Sequence, residues 1–194
     1  MTSIEHPDGL CLRRLGPKNL PAVRATLLEV YTEVYRDVLD EPFTSLAEFD
    51  RRLSGYAAAP GWECVLGIDG DQAVGYAFGY ALQPGAGWWR GLLAPVPPCD
   101  LEETGHRTFA VNEIMVREPW RGSTVARRIH DHLVSGRSEQ RVTLLVEQTH
   151  PKVRRRYEEW GYTWLGSIRP DVPYAPVLDA MLLNHDPWPS TPHR

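Results

Sequence analysis

The sequence predicts one domain of mixed α/β class. Segments in which apolar residues recur every three or four positions are interleaved with segments of alternating or continuous apolar residues, and no repeat or linker separates them. The 194 residues are 42% hydrophobic and 24% charged, which is the size and composition of a single globular domain. We therefore predict the order β-α-α-β-β-β-α-β-α-β-β in one domain over residues 1–194, with the core at 10–184 and a tail at 185–194.

The first predicted elements are a strand and two helices. Residues 10–15 (LCLRRL) predict the opening strand, and the spacing of apolar residues from Leu20 onward predicts a long amphipathic helix. Pro42 ends that helix because proline cannot continue the helical hydrogen bonds. Ser45 belongs to the residue types that cap helix N-termini, and it precedes a second helix that extends to about Tyr56.

A hairpin and a long loop follow these helices. Two β-rich segments at 62–68 and 72–82 flank Asp69-Gly70-Asp71, and Asp-Gly between such segments predicts a tight hairpin. Residues 83–105 contain several prolines and glycines and the pair Trp88-Trp89, but little periodicity, so we predict a loop. Long loops in compact domains are usually functional or disordered.

The rest of the chain alternates strands with helices. The second of these helices has proline in its first turn, where helices favour it. The predicted strands are 107–117, 141–147, 162–168 and 177–183, and the predicted helices are 123–135 and 151–160.

Composition argues against several classes of protein. The net charge of −4 disfavours a nucleic-acid partner, since nucleic-acid-binding domains are basic, and no apolar run is long enough to cross a membrane. The start MTSIEHPDG has neither a basic segment nor an apolar run, so we expect no secretory signal and a cytoplasmic protein. The three cysteines are far apart, so we expect buried free thiols and no metal site.

The charge is distributed unevenly along the chain. Segment 117–156 carries ten Lys or Arg and four Asp or Glu, whereas the other residues carry 11 basic and 21 acidic side chains. Such a distribution could hold an anion at one site and a cation at another, although solvated helix faces would give the same counts.

An apolar strand that contains Glu113 leads through a turn with Pro119 and Gly122 directly into an amphipathic helix. The N-terminus of a helix offers N–H groups without intrahelical partners and a partial positive charge. Arg121, Arg127 and Arg128 would reinforce this positive charge. The junction therefore predicts an anion site, such as a phosphate site, although many junctions of this kind bind nothing.

These residues resemble the motif of the GNAT superfamily of acyl-CoA-dependent N-acetyltransferases. In that family a strand that ends in Val is followed by Arg/Gln-x-x-Gly-x-Gly/Ala, whose loop amides hold the coenzyme A pyrophosphate. Here Val116 precedes Arg121 and the run Gly122-Ser123-Thr124-Val125-Ala126. Downstream, the strand at 141–147 is followed by Val153, Tyr157 and Gly161-Tyr162, which is also similar to the family pattern.

The resemblance implies a twisted, mostly antiparallel sheet splayed between its fourth and fifth strands, with helices on both faces. It implies direct transfer of an acetyl group from acetyl-CoA, as co-substrate, to a primary amine of a small-molecule acceptor, without a metal. Backbone groups of 114–116 would orient the pantetheine arm, and N–H groups of 121–126 would bind the pyrophosphate. The implied coenzyme contacts are Ile114, Met115, Val116, Arg121, Gly122, Ser123, Thr124, Val125, Ala126 and Arg127.

Two residues are candidates for acid and base chemistry. Tyr157 matches the tyrosine that protonates the departing thiolate in the family, and a core-packing role is the alternative. Glu113 is our candidate for the general base, because partial burial among apolar neighbours would raise the pKa of its carboxyl group. A structural salt bridge or an anchor for the substrate ammonium would explain Glu113 equally well. Second choices for the base are His106, Glu102 and Glu103.

One position departs from the family pattern. Thr124 stands where the family has its second glycine, and its side chain could crowd the pyrophosphate or donate a hydrogen bond to it. Two alternatives to the small-molecule acetyltransferase stay open, and Thr124 bears on the first of them. One is an acyl-CoA-binding module with little or no turnover, and the other is an N-acetyltransferase that acts on a peptide or protein amine.

The loop at 83–105 is the candidate acceptor site. Trp88 and Trp89 could stack on the substrate, while Glu102 and Glu103 could attract an amine. The same residues could instead cover a sheet face or contact a second subunit. Homodimers are common in the family, but no interface can be identified from the sequence.

Overall fold

The computed structural model describes residues 9–171 and 173–184. This part of the chain divides into two compact units. The first unit consists of the described residues of 1–80 and 112–136, and the second consists of those of 81–111 and 137–194. The predicted tail at 185–194 lies outside the described residues.

Seven strands form one sheet in the order β1-β2-β3-β4-β5-β7-β6. Their bounds are Cys11–Leu15 (β1), Glu63–Asp69 (β2), Gln72–Ala81 (β3), Thr108–Val116 (β4), Arg141–Glu147 (β5), Thr163–Ile168 (β6) and Leu178–Asn184 (β7). β4 and β5 are parallel, and their register covers Thr108–Val111 against Arg141–Leu144. The β1–β2, β2–β3, β5–β7 and β6–β7 pairs are antiparallel. The predicted fold class is confirmed.

The helices are Leu20–Val34 (α1), Leu46–Ala57 (α2), Pro98–Leu101 (α3), Val125–Val134 (α4) and Pro151–Glu159 (α5). Three of the helices begin and end close to the predicted positions, whereas α1 ends early and α3 lies in the segment predicted as a loop. Ser45 caps α2 as predicted, because its Oγ accepts a hydrogen bond from the Glu48 N–H at 3.4 Å. The prediction that α1 continues to Pro42 is wrong. After Val34 the chain forms successive turns in which an N–H donates to the C=O three residues earlier. The Val38 N–H, for example, donates to Tyr35 C=O at 2.9 Å.

The core of the first unit lies on both faces of β2, because side chains alternate along a strand. Cys64 and Leu66 face one core cluster, whereas Gly67 faces α4, where an added Cβ would lie 2.8 Å from Ile129 Cδ1. The other fully buried members of the cluster come mainly from α1, α2 and β3; they include Leu27, Val30, Tyr31, Phe49, Leu53, Trp62, Tyr76 and Phe78. Helices thus cover both faces of this part of the sheet.

The predicted loop at 83–105 has local structure in the second unit. Trp89 is buried, and the Leu93 N–H donates to Ser167 C=O at 2.8 Å, which pairs the loop with β6. Gly91 permits this pairing because an added Cβ would lie 1.9 Å from the Arg169 carbonyl oxygen, and its φ of +80° favours glycine.

The expectation of three buried thiols is wrong for two of them. Cys64 is buried, but Cys11 and Cys99 are exposed, and all three are free. Cys11 is exposed because it lies on the edge strand β1 and Cys99 because it lies in the short helix α3. None of the helices in the described part of the chain has both the length and the apolar composition to cross a membrane.

Candidate active site

β4 carries the candidate base and has an irregular register against β3. The Arg117 N–H donates to Val74 C=O and the Leu82 N–H donates to Thr108 C=O, each at 2.9 Å. Between these two hydrogen bonds β4 advances nine residues, from Thr108 to Arg117, whereas β3 advances eight, from Val74 to Leu82. One extra residue on one strand is the count that a β-bulge produces, and bulges are frequent beside active sites.

The extra residue lies on the part of β4 that includes Glu113. At the other end of the strand the pairing of Arg117 with Val74 continues, since an added Cβ on Gly75 would lie 3.0 Å from Val116 Cα. Gly75 lies so close to β4 there that an added Cβ would come within 2.3 Å of the Met115 carbonyl oxygen. The irregular segment is therefore confined to the residues between Thr108 and Met115.

Glu113 is partly exposed, and its carboxylate has no hydrogen-bond partner among the described residues. Burial raises the pKa of this carboxyl group to about 7, although the nearby guanidinium of Arg52 acts to lower it. Its negative charge in turn contributes to raising the phenol pKa values of Tyr31 and Tyr56, which burial also raises. A carboxylate with a pKa near 7 can both accept and release a proton under physiological conditions.

Arg52 is held in place by α2 and by the turns that precede it. Its side chain is 10% exposed, and its guanidinium donates to Phe43 C=O at 2.8 Å and lies 4.6 Å from the centre of the Phe43 ring. The Glu48 carboxylate is 3.6 Å away. Nothing in the sequence analysis singled out Arg52. Its helical spacing from Tyr56, which places both on one face of α2, is the signal that could have found it.

In the turn between β4 and α4, some of the groups predicted to bind phosphate already have hydrogen-bond partners within the protein. The Ser123 hydroxyl donates to Trp120 C=O at 2.6 Å and accepts from the Val125 N–H at 3.2 Å, so this N–H already has a partner. The Arg121 side chain donates back to Val116 C=O at 3.0 Å. Gly122 has φ of +77°, which makes it the residue that allows the sharp turn.

Thr124 stands at the N-cap of α4 with helical backbone angles of −81° and −3°. The position therefore does not require glycine for conformational reasons. Its side chain is exposed and makes no capping hydrogen bond, so the hydroxyl is available to a ligand. Among the remaining predicted coenzyme contacts, Met115, Val116 and Val125 are buried, and Arg127 pairs with Asp131 at 2.6 Å.

Tyr157 lies on α5 in the second unit and is partly exposed. Its ring packs edge-on against Trp160 at 5.4 Å and against Tyr162 at 5.8 Å. The Tyr162 N–H also donates to Tyr157 C=O at 3.0 Å, which ends the helix on Gly161-Tyr162. Tyr157 therefore packs with Trp160 and Tyr162 in an aromatic group at the end of α5, and it is not a fully buried core residue.

The position of α5 depends on one buried carboxylate. Asp179 on β7 accepts hydrogen bonds from Arg154 at 2.8 Å, Gln148 at 2.9 Å and Trp164 at 3.1 Å. Burial acts to raise the pKa of Asp179, but these hydrogen bonds and the charge of Arg154 lower it below its ordinary value. Asp179 thus connects α5 with β6 and β7.

The predicted acceptor residues of the loop have different environments within the second unit. Trp89 is 7% exposed, and its indole N–H donates to Glu103 at 2.8 Å. The same Glu103 oxygen accepts from Thr108 and Arg141, so Glu103 holds the loop against the sheet. Trp88 is partly exposed and packs edge-on against Trp89 at 6.5 Å. Both tryptophans remain predictions as substrate contacts.

The predicted site residues are thus distributed over both units. Glu113 and every predicted coenzyme contact lie in the first unit, whereas Tyr157, Trp88 and Trp89 lie in the second. Of the second choices for a base, Glu102 and His106 are exposed and Glu103 is buried. In the described part of the chain no group of His, Cys, Asp or Glu is arranged to hold a metal ion.

Comparison with known proteins identifies the fold. No protein-family model matches the sequence, and a comparison with curated proteins finds no significant match. An acetyltransferase from Thermus thermophilus matches 93% of this chain and 99% of its own, with a TM-score of 0.63 and 17% identity. A Desulfovibrio desulfuricans protein assigned to the GNAT family matches 90% of this chain and 98% of its own, with a TM-score of 0.57 and 17% identity.

A third similar structure is aminoglycoside acetyltransferase AAC(6′)-Ib in complex with coenzyme A and kanamycin. It matches 90% of this chain and 94% of its own, with a TM-score of 0.60 and 15% identity. These matches agree with the strand order and with the parallel pair β4–β5. The protein therefore has the fold of the GNAT-family acetyltransferases.

Proposed function

We propose that this protein transfers an acetyl group from acetyl-CoA to a primary amine of a small-molecule acceptor. The observation that carries the proposal is the carboxylate of Glu113, which is partly buried, lacks a hydrogen-bond partner among the described residues and has a pKa raised to about 7. Such a carboxylate is available for a proton and has the basicity that a general base needs near neutral pH. Its position on β4, the strand that leads to the turn before α4, agrees with the resemblance to the GNAT superfamily.

Glu113 acts on the acceptor. A primary ammonium has no lone pair with which to attack a carbonyl carbon, so it must first lose a proton. In this proposal the Glu113 carboxylate accepts that proton, directly or through a water molecule. The free amine would then attack the thioester carbonyl carbon of acetyl-CoA, and the C–N bond would form as the C–S bond breaks. The nitrogen would lose its second proton to water, and the Tyr157 phenol, which supplies the proton of the released thiol, would regain one from water.

The coenzyme contacts belong to the turn and to the start of α4. Gly122 and the exposed hydroxyl of Thr124 suit an anion at the helix N-terminus, and Arg121 adds positive charge there. Tyr157 donates its phenolic proton to the departing sulfur, as the family resemblance implies. Its partial exposure is compatible with this role.

Titration calorimetry with acetyl-CoA, and with coenzyme A for comparison, tests the first part of the proposal. We expect one site per chain with a dissociation constant in the range of about 1 to 100 μM. Thiol release in the presence of a panel of amines tests the second part. If neither acetyl-CoA nor a longer acyl-CoA binds, the proposal is wrong.

A second candidate is an acyl-CoA-binding module without turnover. The departure that favours it is Thr124, which replaces the glycine of the family motif. The variant Tyr157→Phe distinguishes the two candidates. For an enzyme we expect thiol release with the amine to fall about tenfold or more while acetyl-CoA binding is unchanged. An equal, low rate in both proteins would favour the binding module.

A further inference from the structure

The surroundings of Glu113 carry information about the acceptor, and this inference rests on the proposed function. Three tyrosines from different elements contribute: Tyr31 from α1, Tyr56 from α2 and Tyr80 from β3. The charge of Glu113 acts on the phenols of Tyr31 and Tyr56, and the ring centres of Tyr56 and Tyr80 are 6.1 Å apart. We call Tyr31, Tyr56 and Tyr80 the tyrosine cluster.

Two members of the tyrosine cluster are accessible and one is not. Tyr31 is 1% exposed, and its hydroxyl donates to Thr44 C=O at 2.9 Å, so it belongs to the core. Tyr56 and Tyr80 are only partly buried, as is Glu113. The accessible part of the cluster therefore presents two aromatic rings beside one carboxylate.

Asn112, the residue before Glu113, provides an independent observation. Its side chain interacts with the Tyr80 hydroxyl, and its Oδ1 is buried without a hydrogen-bond partner in the described part of the chain. A buried acceptor without a protein donor bonds in folded proteins to water or to a ligand, so this oxygen is available to a donor. Consecutive strand residues normally face opposite sides, but the extra residue on this part of β4 can bring both side chains to one side. An ammonium group, which has three N–H donors, would then satisfy both this oxygen and the Glu113 carboxylate.

The charges around the cluster limit the number of positive charges on the ligand. The charged groups from α2 are Arg51, Arg52 and Glu48, and from β4 the carboxylate of Glu113 interacts with Arg52. Glu48 lies 2.6 Å from Arg51 and 3.6 Å from Arg52, and Arg52 is the cation that acts on Glu113. These four groups balance to zero. A polycation would place additional positive charge near Arg52 without a carboxylate to pair with it.

We propose that the acceptor has a single ammonium group on an aromatic or apolar carbon skeleton. Glu113 and Asn112 would bind the ammonium nitrogen, and the rings of Tyr56 and Tyr80 would pack against the ammonium and the adjoining carbon atoms. Aromatic faces attract ammonium groups and stack on other rings. Sites for small molecules are typically lined by such apolar surface with few polar groups.

Three probe amines test the substrate class. Phenethylamine carries one ammonium on an aromatic skeleton, spermidine is a linear polycation, and kanamycin is a polyhydroxylated polycation. In a thiol-release assay with acetyl-CoA we expect kcat/KM for phenethylamine to exceed that for either other amine by about tenfold or more. A preference for spermidine or kanamycin would overturn the inference and leave the proposed function standing.

Variants of Tyr56 test the role of the rings. Tyr56→Leu removes the ring, and we expect it to lower kcat/KM for phenethylamine about tenfold. Tyr56→Phe keeps the ring and therefore the preference among the three amines. Tyr174→Leu is the matched control, since Tyr174 is 78% exposed and lies in the second unit. An unchanged preference in a folded Tyr56→Leu variant contradicts the inference.

A binding experiment separates this inference from the proposed function. If no amine is acetylated, the proposed function is wrong, but saturation-transfer NMR with phenethylamine still tests the site. We expect a signal from phenethylamine with the wild type, a loss of it in both Glu113→Gln and Tyr56→Leu, and no loss in Tyr174→Leu. The absence of a signal with the wild type would overturn the inference.

Discussion

For single residues, the surroundings of Glu113 matter more than its residue type. A solvated glutamate has a pKa near 4 and is a poor base for an ammonium group at neutral pH. Burial raises the pKa of Glu113 to about 7, and Arg52 keeps it from rising further. The proposed base is thus made by residues that pack around it.

Replacing Glu113 with glutamine should remove the proposed base with little change in volume. We expect kcat/KM for the amine to fall about 100-fold, the usual loss for a general base. In the wild type, activity should rise with pH through a transition near 7, because the ionised carboxylate is the active form. The pH profile of thiol release checks both points. A transition near 7 that persists in the variant would contradict the assignment.

The same substitution should change how stability depends on pH. The pKa of Glu113 is higher in the folded protein than its ordinary value of 4.5, so the folded state binds this proton more tightly. The wild type therefore loses stability as pH rises from 4.5 to about 7, where the folded group ionises.

The Glu113→Gln variant has no ionisable group at this position, so it does not lose stability in this way as pH rises. We expect the variant to be more stable than the wild type at pH 8 by up to about 3 kcal/mol, with a smaller difference at pH 4. Urea denaturation at the two pH values measures this. An equal difference at both values would mean that Glu113 titrates normally.

For single elements, α5 shows how a helix is held in place when it has few apolar residues. None of the residues in α5 is buried, so apolar packing contributes little to its position. The Asp179 carboxylate instead bonds to Arg154 at the start of the helix and to Gln148 just before it. Since α5 carries Tyr157, this carboxylate also positions the proposed acid.

Asp179→Ala should therefore destabilise the protein by about 3 kcal/mol at pH 7, because it removes one of the two carboxylate partners of Arg154 and the acceptor shared by Gln148, Trp164 and Ser167. The lowered pKa means that the contribution of Asp179 is present above the unfolded-state pKa and is lost as pH falls below it. Glu159→Ala, an exposed position at the end of α5, is the control and should change stability by less than about 0.5 kcal/mol. Thermal and urea denaturation test both variants.

For the whole molecule, the charge distribution should govern coenzyme binding. The protein is acidic overall at −4, yet segment 117–156 has an excess of six positive charges, which include Arg121 and Arg127 beside the start of α4. A phosphorylated ligand at the start of α4 is expected to benefit from the charges of Arg121 and Arg127.

The dissociation constant of acetyl-CoA should therefore increase several-fold between about 50 mM and about 500 mM NaCl, because salt screens exposed charges. S-acetylpantetheine, which lacks the phosphates, is the matched ligand and should show no such dependence. Titration calorimetry at both salt concentrations gives the comparison. Equal salt dependence for the two ligands would place the phosphates away from the basic segment.

Much of the secondary structure could be predicted, because it depends on residues a few positions apart. The cap at Ser45, the hairpin at Asp69-Gly70 and the first turn of α5 follow such local rules, and they appear in the structure. The end of α1 could not be predicted, because the apolar spacing continues to Val38 while the chain turns after Val34. Pairing of the 83–105 loop with β6 depends on Gly91 and on residues far along the chain.

The sequence by itself determined the order of elements, the strand–turn–helix segment that resembles the GNAT motif, and the candidates Glu113 and Tyr157. Periodicity and motif spacing are local properties, so they can be read without a fold. The tertiary structure alone decided that Arg52, Tyr31 and Tyr56 lie within electrostatic reach of Glu113 and that Trp89 is a buried support. A pKa depends on burial and on charges from elements far apart in sequence, and only folding brings those elements together.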